Sequence, residues 1–277
     1  MNLIEIISDK PPEHKKELSE LRFLDRLKEK CRNSYEVIKQ CPIYVPDSGP
    51  DFMLVTPEQR EVKTSFWLDL IVKDLPSWHR YPSRSKYIRG FTSQERAGNL
   101  DEVYVLIPFD LSRIGICPKS SFYRSFVVAQ KDMGVDRLDN SGLIQWVNLL
   151  VAALIDVRDE KSINKEVPKT YKQFKSLLDN LDKIISDEKN TLKKRLKESD
   201  SIKDDERLVL QDVLGRHVTT IHRYLEEKFD PETNGFTTVR AESYNRVNED
   251  REVWVASPSL MVKKSVYLDM YKRGAVK

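Results

Sequence analysis

The sequence predicts an α+β fold, and three observations carry that prediction. Short apolar pulses of the strand type fall in two groups, one between residues 42 and 118 and one after Asp230. Between them, from Ser141, the apolar residues change to helical spacing. The strands do not alternate with helices one by one, which argues against a parallel sheet of βαβ units.

Each element follows in chain order. After Pro11 and Pro12, Leu18, Leu21, Leu24 and Leu27 recur at helical spacing with Phe23 beside them. They predict one or two amphipathic helices ending before Pro42. Ile43 to Val45 and Phe52 to Val55 read as short strands in a Pro- and Asp-rich stretch. Thr64 to Asp74 places Phe66, Trp67, Leu70 and Ile71 on one helix face. Tyr87–Phe91, Val103–Pro108 and Arg113–Cys117 read as strands, with Gln94 to Leu100 a helical or loop connection.

Four helical stretches then follow: Gly142–Val157, Thr170–Asp187, Asn190–Glu198 and Asp204–Lys228. The second carries the stripe Tyr171, Phe174, Leu177, Leu178, Leu181 and Ile184 on a charged background. The turn signal Asp230 to Gly235 returns the chain to strands at Phe236–Val239, Val253–Val255 and Leu260–Val262. The expected organisation is an N-terminal helical segment (1–41), a first part of the α+β core (42–140), a helical insertion (141–229) and strands completing the core (230–277).

With 47 basic and 44 acidic residues the chain is nearly neutral, which argues against a dedicated nucleic-acid binder. Cys31, Cys41 and Cys117 are odd in number and widely spaced, so neither a disulfide framework nor a zinc site is expected, and a reducing compartment is. The first residues lack the pattern of a signal peptide. The most apolar run, Leu143 to Val157, is broken by Gln145 and Asn148 and is shorter than a membrane span. A soluble protein of the cytoplasm, without a membrane span, is the expectation.

Several chemistries lack their motifs. There is no GxGxxG and no GxxxxGK[ST] phosphate cradle. His217 and His222 stand five apart, the wrong helical spacing for a shared metal, and no metal is expected. The segment Trp78 to Phe91 interleaves His79, Arg80, Arg84, Lys86 and Arg89 with Trp78, Tyr81, Tyr87 and Phe91. That pattern serves either phosphate contacts with base stacking or a strand with aromatics inward and cations outward.

The run YIRGFTSQERAGNLDEVYVLIPFD resembles the middle of an ADP-ribosyltransferase domain of the Arg / Ser-Thr-Ser / Glu-x-Glu type. In that family a strand ends in Ser-Thr-Ser, a short helical segment with an Ala follows, and then a strand. Gly90, Phe91, Thr92 and Ser93 occupy the motif, Ala97 the small position, and Val103 to Pro108 the strand. Asp250 and Glu252, in DREVW, match the two acids of the last motif. The wording also resembles transferase-like proteins of large phages, in Arg84, Ser85 and Ile114 to Pro118.

The resemblance implies a split β-sheet core and, in an active enzyme, NAD as cofactor. Glu252 would be the catalytic carboxylate, Asp250 the first acid and Ser93 the brace, with Arg84, Arg89 and Thr92 binding the cofactor. The family's phosphate-anchoring Arg is missing: Met53 and Leu54 stand at its place in DFMLVTP, which leaves Arg60, Arg84 or Arg89 to supply the charge.

Three readings follow. The missing Arg, the Gly-Phe-Thr-Ser sequence and Asp250 in place of Glu favour a degenerate, phage-encoded transferase-like module. It would use no cofactor and bind other proteins of phage or host. The alternatives are an active mono-ADP-ribosyltransferase that modifies a host protein or nucleic acid, and a nucleic-acid binder.

Overall fold

The structure, a computed structural model, describes residues 13–58, 67–98, 103–157, 167–198, 202–215, 220–245 and 250–273. Arg60, Phe66, Leu100, His217, Val218 and Glu249 lie outside them. The first strands are β1 (Glu13–Glu17), β2 (Ile43–Pro46) and β3 (Phe52–Pro57). They are followed by β4 (Ile88–Phe91), β5 (Val103–Pro108) and β6 (Arg113–Ile116). The last three are β7 (Thr237–Arg240), β8 (Glu252–Val255) and β9 (Ser259–Lys263).

The α-helices are α1 (Glu20–Lys30), α2 (Arg32–Ile38), α3 (Trp67–Asp74), α4 (Gln94–Ala97) and α5 (Val127–Asp132). After them come α6 (Asn140–Val157), α7 (Tyr171–Glu198), α8 (Asp204–Val213), α9 (Ile221–Lys228) and α10 (Lys264–Lys272). The chain is α+β. It divides into two compact units, one of Met1–Arg60, Trp78–Ser125 and Gly235–Lys277, the other of Glu61–Ser77 and Phe126–Asn234.

Among the described residues, the first unit is built on one antiparallel sheet of nine strands in the order β1-β3-β9-β5-β2-β4-β8-β6-β7. Its two halves are joined rather than separate, and the join is narrow. β2 and β4 share a single residue pair, Tyr44 opposite Phe91, whereas β2 and β5 share four. At this join a side chain on Gly90 would run into Ile43 and Val45, so glycine lets the two strands meet.

Period-2 alternation gives the sheet two faces. Ile88, Ile114, Val253 and Val255 turn to the main apolar core with Ile43, Val45, Leu106 and Met261. Helices α1, α2 and α10 contribute Phe23, Leu27, Tyr35 and Tyr267 to that core. Phe23 stacks on Phe52 at 4.9 Å and Tyr35 meets Tyr267 edge-on at 6.4 Å. The α2 start is capped by Asp110, which accepts from the Asn33 and Ser34 amides.

Two N-terminal expectations change. Residues 13–17, expected to be helical, form β1, paired over five residues with β3 at the end of the sheet. EHKKE has no apolar alternation because an edge strand is kept in water by its lysines. The helices begin only at Glu20, after the Ser19 cap. At the other end, α10 follows β9 directly where no helix was expected.

The second unit is helical. The expected helices 170–187 and 190–198 are both present: they run together as α7, whose two parts meet at the non-helical residue Glu188. The expected long helix from Asp204 is two, α8 and α9. Phe174, Leu178, Leu181 and Ile185 of α7 are buried, and Trp67 packs on Phe174 at 4.7 Å. Trp146 stacks on Tyr224 at 5.7 Å. Lys228 donates to Asp132 (2.6 Å) and Asp212 (3.1 Å), and the Tyr224 hydroxyl donates to Asp212 (2.9 Å), tying α5, α8 and α9 together. No helix among the described residues is long and apolar enough to cross a membrane.

Candidate functional site

The sheet face opposite the main core carries the residues singled out in the sequence. In register, Glu252 lies opposite Phe91, Trp254 opposite Arg89, and Gly115 opposite Trp254, so all share this face. Trp78, Phe122, Phe236 and Trp254 form an aromatic cluster over it, with ring centres 5.1 to 6.5 Å apart. Gly115 is required here: any side chain would collide with the Trp254 ring. The Trp254 indole N–H donates to the Pro82 carbonyl at 2.9 Å, which holds the segment before β4 against the ring.

Into this cluster the chain places an ion pair. Arg84 is 2% exposed and Glu252 3%. Arg84 Nη1 donates to Glu252 Oε1 at 3.2 Å, and Nη2 donates to the Tyr87 hydroxyl at 2.8 Å. The Phe122 amide donates to Glu252 Oε2 at 3.2 Å, so both carboxylate oxygens are engaged. The guanidinium lies 3.9 Å from the centre of the Tyr87 ring, 3.8 Å from Phe122 and 5.3 Å from Trp254. Its planar, weakly hydrated charge suits such a dry aromatic site better than an ammonium. The Glu252 backbone is also fixed, donating to Lys119 O and accepting from Cys117 N.

The other sequence-derived residues stand around the open end of β4. The ladder continues past Phe91, with Thr92 N donating to Arg251 O (3.1 Å) and Arg251 N to Thr92 Oγ1 (2.9 Å). Ser93 precedes α4 at its N-cap position without a side-chain capping bond. Asp250 is exposed and 3.8 Å from Arg96 Nε. Burial holds its carboxyl above the usual range, with Arg96 opposing and Glu95 adding to the shift. Arg89 is half-buried, with its guanidinium 6.0 Å from the Phe91 ring centre.

The structure therefore brings Arg84 to Glu252 but turns both inward. Asp250, Thr92 and Ser93 stay nearer the surface. Met53, at the place where the resemblance would put a phosphate-anchoring Arg, is buried in β3, and three strands stand between it and β4. The strand flanking β4 across the join is β2, which offers Tyr44. In the segment Trp78 to Phe91, all four aromatics are buried while His79, Arg80 and Lys86 are exposed. Buried in this way, these four rings offer no open face for base stacking; the aromatics do turn inward, but the segment is a strand only from Ile88, and Arg84 is buried with them instead of facing outward.

Sequence reasoning missed Phe122 and Trp254 as walls of this site. The aromatic density of FYRSF was the available signal, but nothing in spacing links it to a residue 130 positions away. Among the described residues no group of His, Cys, Asp or Glu is arranged to hold a metal ion. The chain matches no family model, no curated protein and no solved structure.

Proposed function

We propose that this chain is a degenerate ADP-ribosyltransferase-like module that works by binding other proteins, of phage or host, rather than by turning over NAD. The observation that carries the reading is the burial of Glu252. A carboxylate that stabilises an oxocarbenium-like ribose has to face its substrate with its charge available. Here both oxygens accept bonds from the chain itself, and the charge is matched by Arg84 inside an aromatic cage.

The same pairing takes away the leading substitute for the missing phosphate anchor, since Arg84 is committed to Glu252. Support for the transferase-like ancestry is separate. The strand of the Gly-Phe-Thr-Ser motif pairs directly with the strand of Glu252, and the sheet narrows to one residue pair beside them.

Incubation of the full chain with labelled NAD tests the enzymatic half. The expected result is neither glycohydrolysis nor transfer above a blank, in the native chain and in Glu252→Gln alike. Turnover that disappears in Glu252→Gln would overturn the reading. Reversible chemical cross-linking in host cells, with the full chain as bait, tests the binding half; failure to retain the same protein in repeated captures removes it.

A further inference from the structure

The helical unit holds a cavity of about 830 Å³ that plays no part in the site above. Helices α3, α7 and α9 line it, and it falls in the size range of small-ligand sites. Its floor is apolar: Ile71, Leu75, Leu178 and Leu225 are all buried. Its rim is charged and predominantly negative, with Glu226, Glu227, Asp230 and Asp74 against Lys175 and Arg223.

Lys175 is partly neutralised by Asp74 at 3.5 Å, while Glu226 and Glu227 have no ion-pair partner among the described residues. The Tyr171 phenol at the rim is pushed up mainly by burial, with smaller contributions from Asp74 and Asp179. The Ser77 hydroxyl oxygen on the cavity wall is shielded from solvent and has no hydrogen-bond partner. Buried hydroxyls are ordinarily paired, and this one would have to be uncovered before a polar group from outside could reach it.

From the cavity's apolar floor and its acidic rim, we propose that it binds an aliphatic ammonium group, its methylenes on the leucine floor and its charge at the Glu226–Asp230 rim. Lysine-like chains bury their methylenes along apolar surface while the charged head stays at a polar edge. The chemistry has two sources, a free polyamine or a lysine side chain of a peptide. The site shares no residue with Arg84–Glu252, so its failure would leave the reading of that pair intact.

Calorimetric titration of the full chain with cadaverine, with a blocked Ala-Lys-Ala peptide and with 1-pentanol provides the test. Saturable binding is expected for at least one amine and not for the neutral alcohol. It should weaken as ionic strength rises, because the rim charges face water. The variant Glu226→Gln/Glu227→Gln should bind roughly three- to tenfold more weakly with its melting temperature unchanged.

Tighter binding of the peptide identifies a protein side chain as the occupant, and tighter binding of cadaverine a small molecule. The proposal is overturned if neither amine saturates, if 1-pentanol binds as tightly, or if binding is indifferent to salt. A folded variant that binds like the native chain overturns it as well. The alcohol and salt comparisons use the unaltered chain and stand even if the variant does not fold.

Discussion

Two cations tie distant segments of this chain together, Arg84 in the sheet unit and Lys228 in the helical unit, and their surroundings differ. Arg84 and Glu252 have side chains 2% and 4% exposed, between aromatic rings. Lys228 is 14% exposed, and its partners Asp132 and Asp212 keep about a third of their surface in water. Each cation also lies beside a tyrosine, Tyr87 and Tyr224. The comparison teaches that similar chemistry carries different stakes. In the dry site, removing one partner strands a charge with no solvent to receive it. In the wet one, water takes over.

The largest effect should come from breaking the buried pair. Arg84→Met leaves Glu252 uncompensated and should cost about 3–5 kcal/mol in urea unfolding. Arg84→Met combined with Glu252→Leu should recover much of that loss, because no charge is left stranded. A single variant as stable as the native chain would mean that solvent reaches the pair. Next comes Gly115→Ala, whose methyl group collides with Trp254. Overpacking there should cost about 1–3 kcal/mol in the same measurement, and a neutral result would show that the aromatic cage is loose.

Lys228→Met should cost less, about 1 kcal/mol, because its carboxylate partners remain solvated. Its pH signature sharpens the contrast. Burial alone lowers the Lys228 pKa, but the bonds to Asp132 and Asp212 more than offset this, and the ammonium stands above the ordinary lysine value. A raised folded-state pKa gives stability that is complete below the unfolded value, about 10.4, and is lost as pH rises through the folded one. Thermal melts across that alkaline range should fall more steeply for the native chain than for Lys228→Met. The smallest effect belongs to Lys175→Ala. It breaks an ion pair half exposed on both sides and should shift stability by no more than about 0.5 kcal/mol.

The strands were legible because their pulses alternate or run apolar. Val103–Pro108 is a strand at the bounds its residues suggest, and β8 and β9 differ by about one residue. EHKKE was illegible as a strand because edge strands carry no apolar face, and α10 because its burial rests mainly on Tyr267 and Met270. At the site, Glu252 was picked out at the start of its strand, but in DREVW it looks like the second of two solvated acids. Its burial comes from Arg84, 168 residues away and outside any strand. Spacing along a chain records local periodicity, and a pair formed across that distance leaves no mark in it.

The sheet order has a consequence for how the protein is made. β8 joins β4 to β6, and β9 joins β3 to β5, yet both lie after residue 250. A nascent chain that stops short of them holds only the pieces β1-β3, β5-β2-β4 and β6-β7, each with open edges and an uncovered apolar face. The whole helical block leaves the ribosome before those edges are closed. Pairings that wait so long are the kind that slow folding, and edges left open meanwhile are the kind that aggregate.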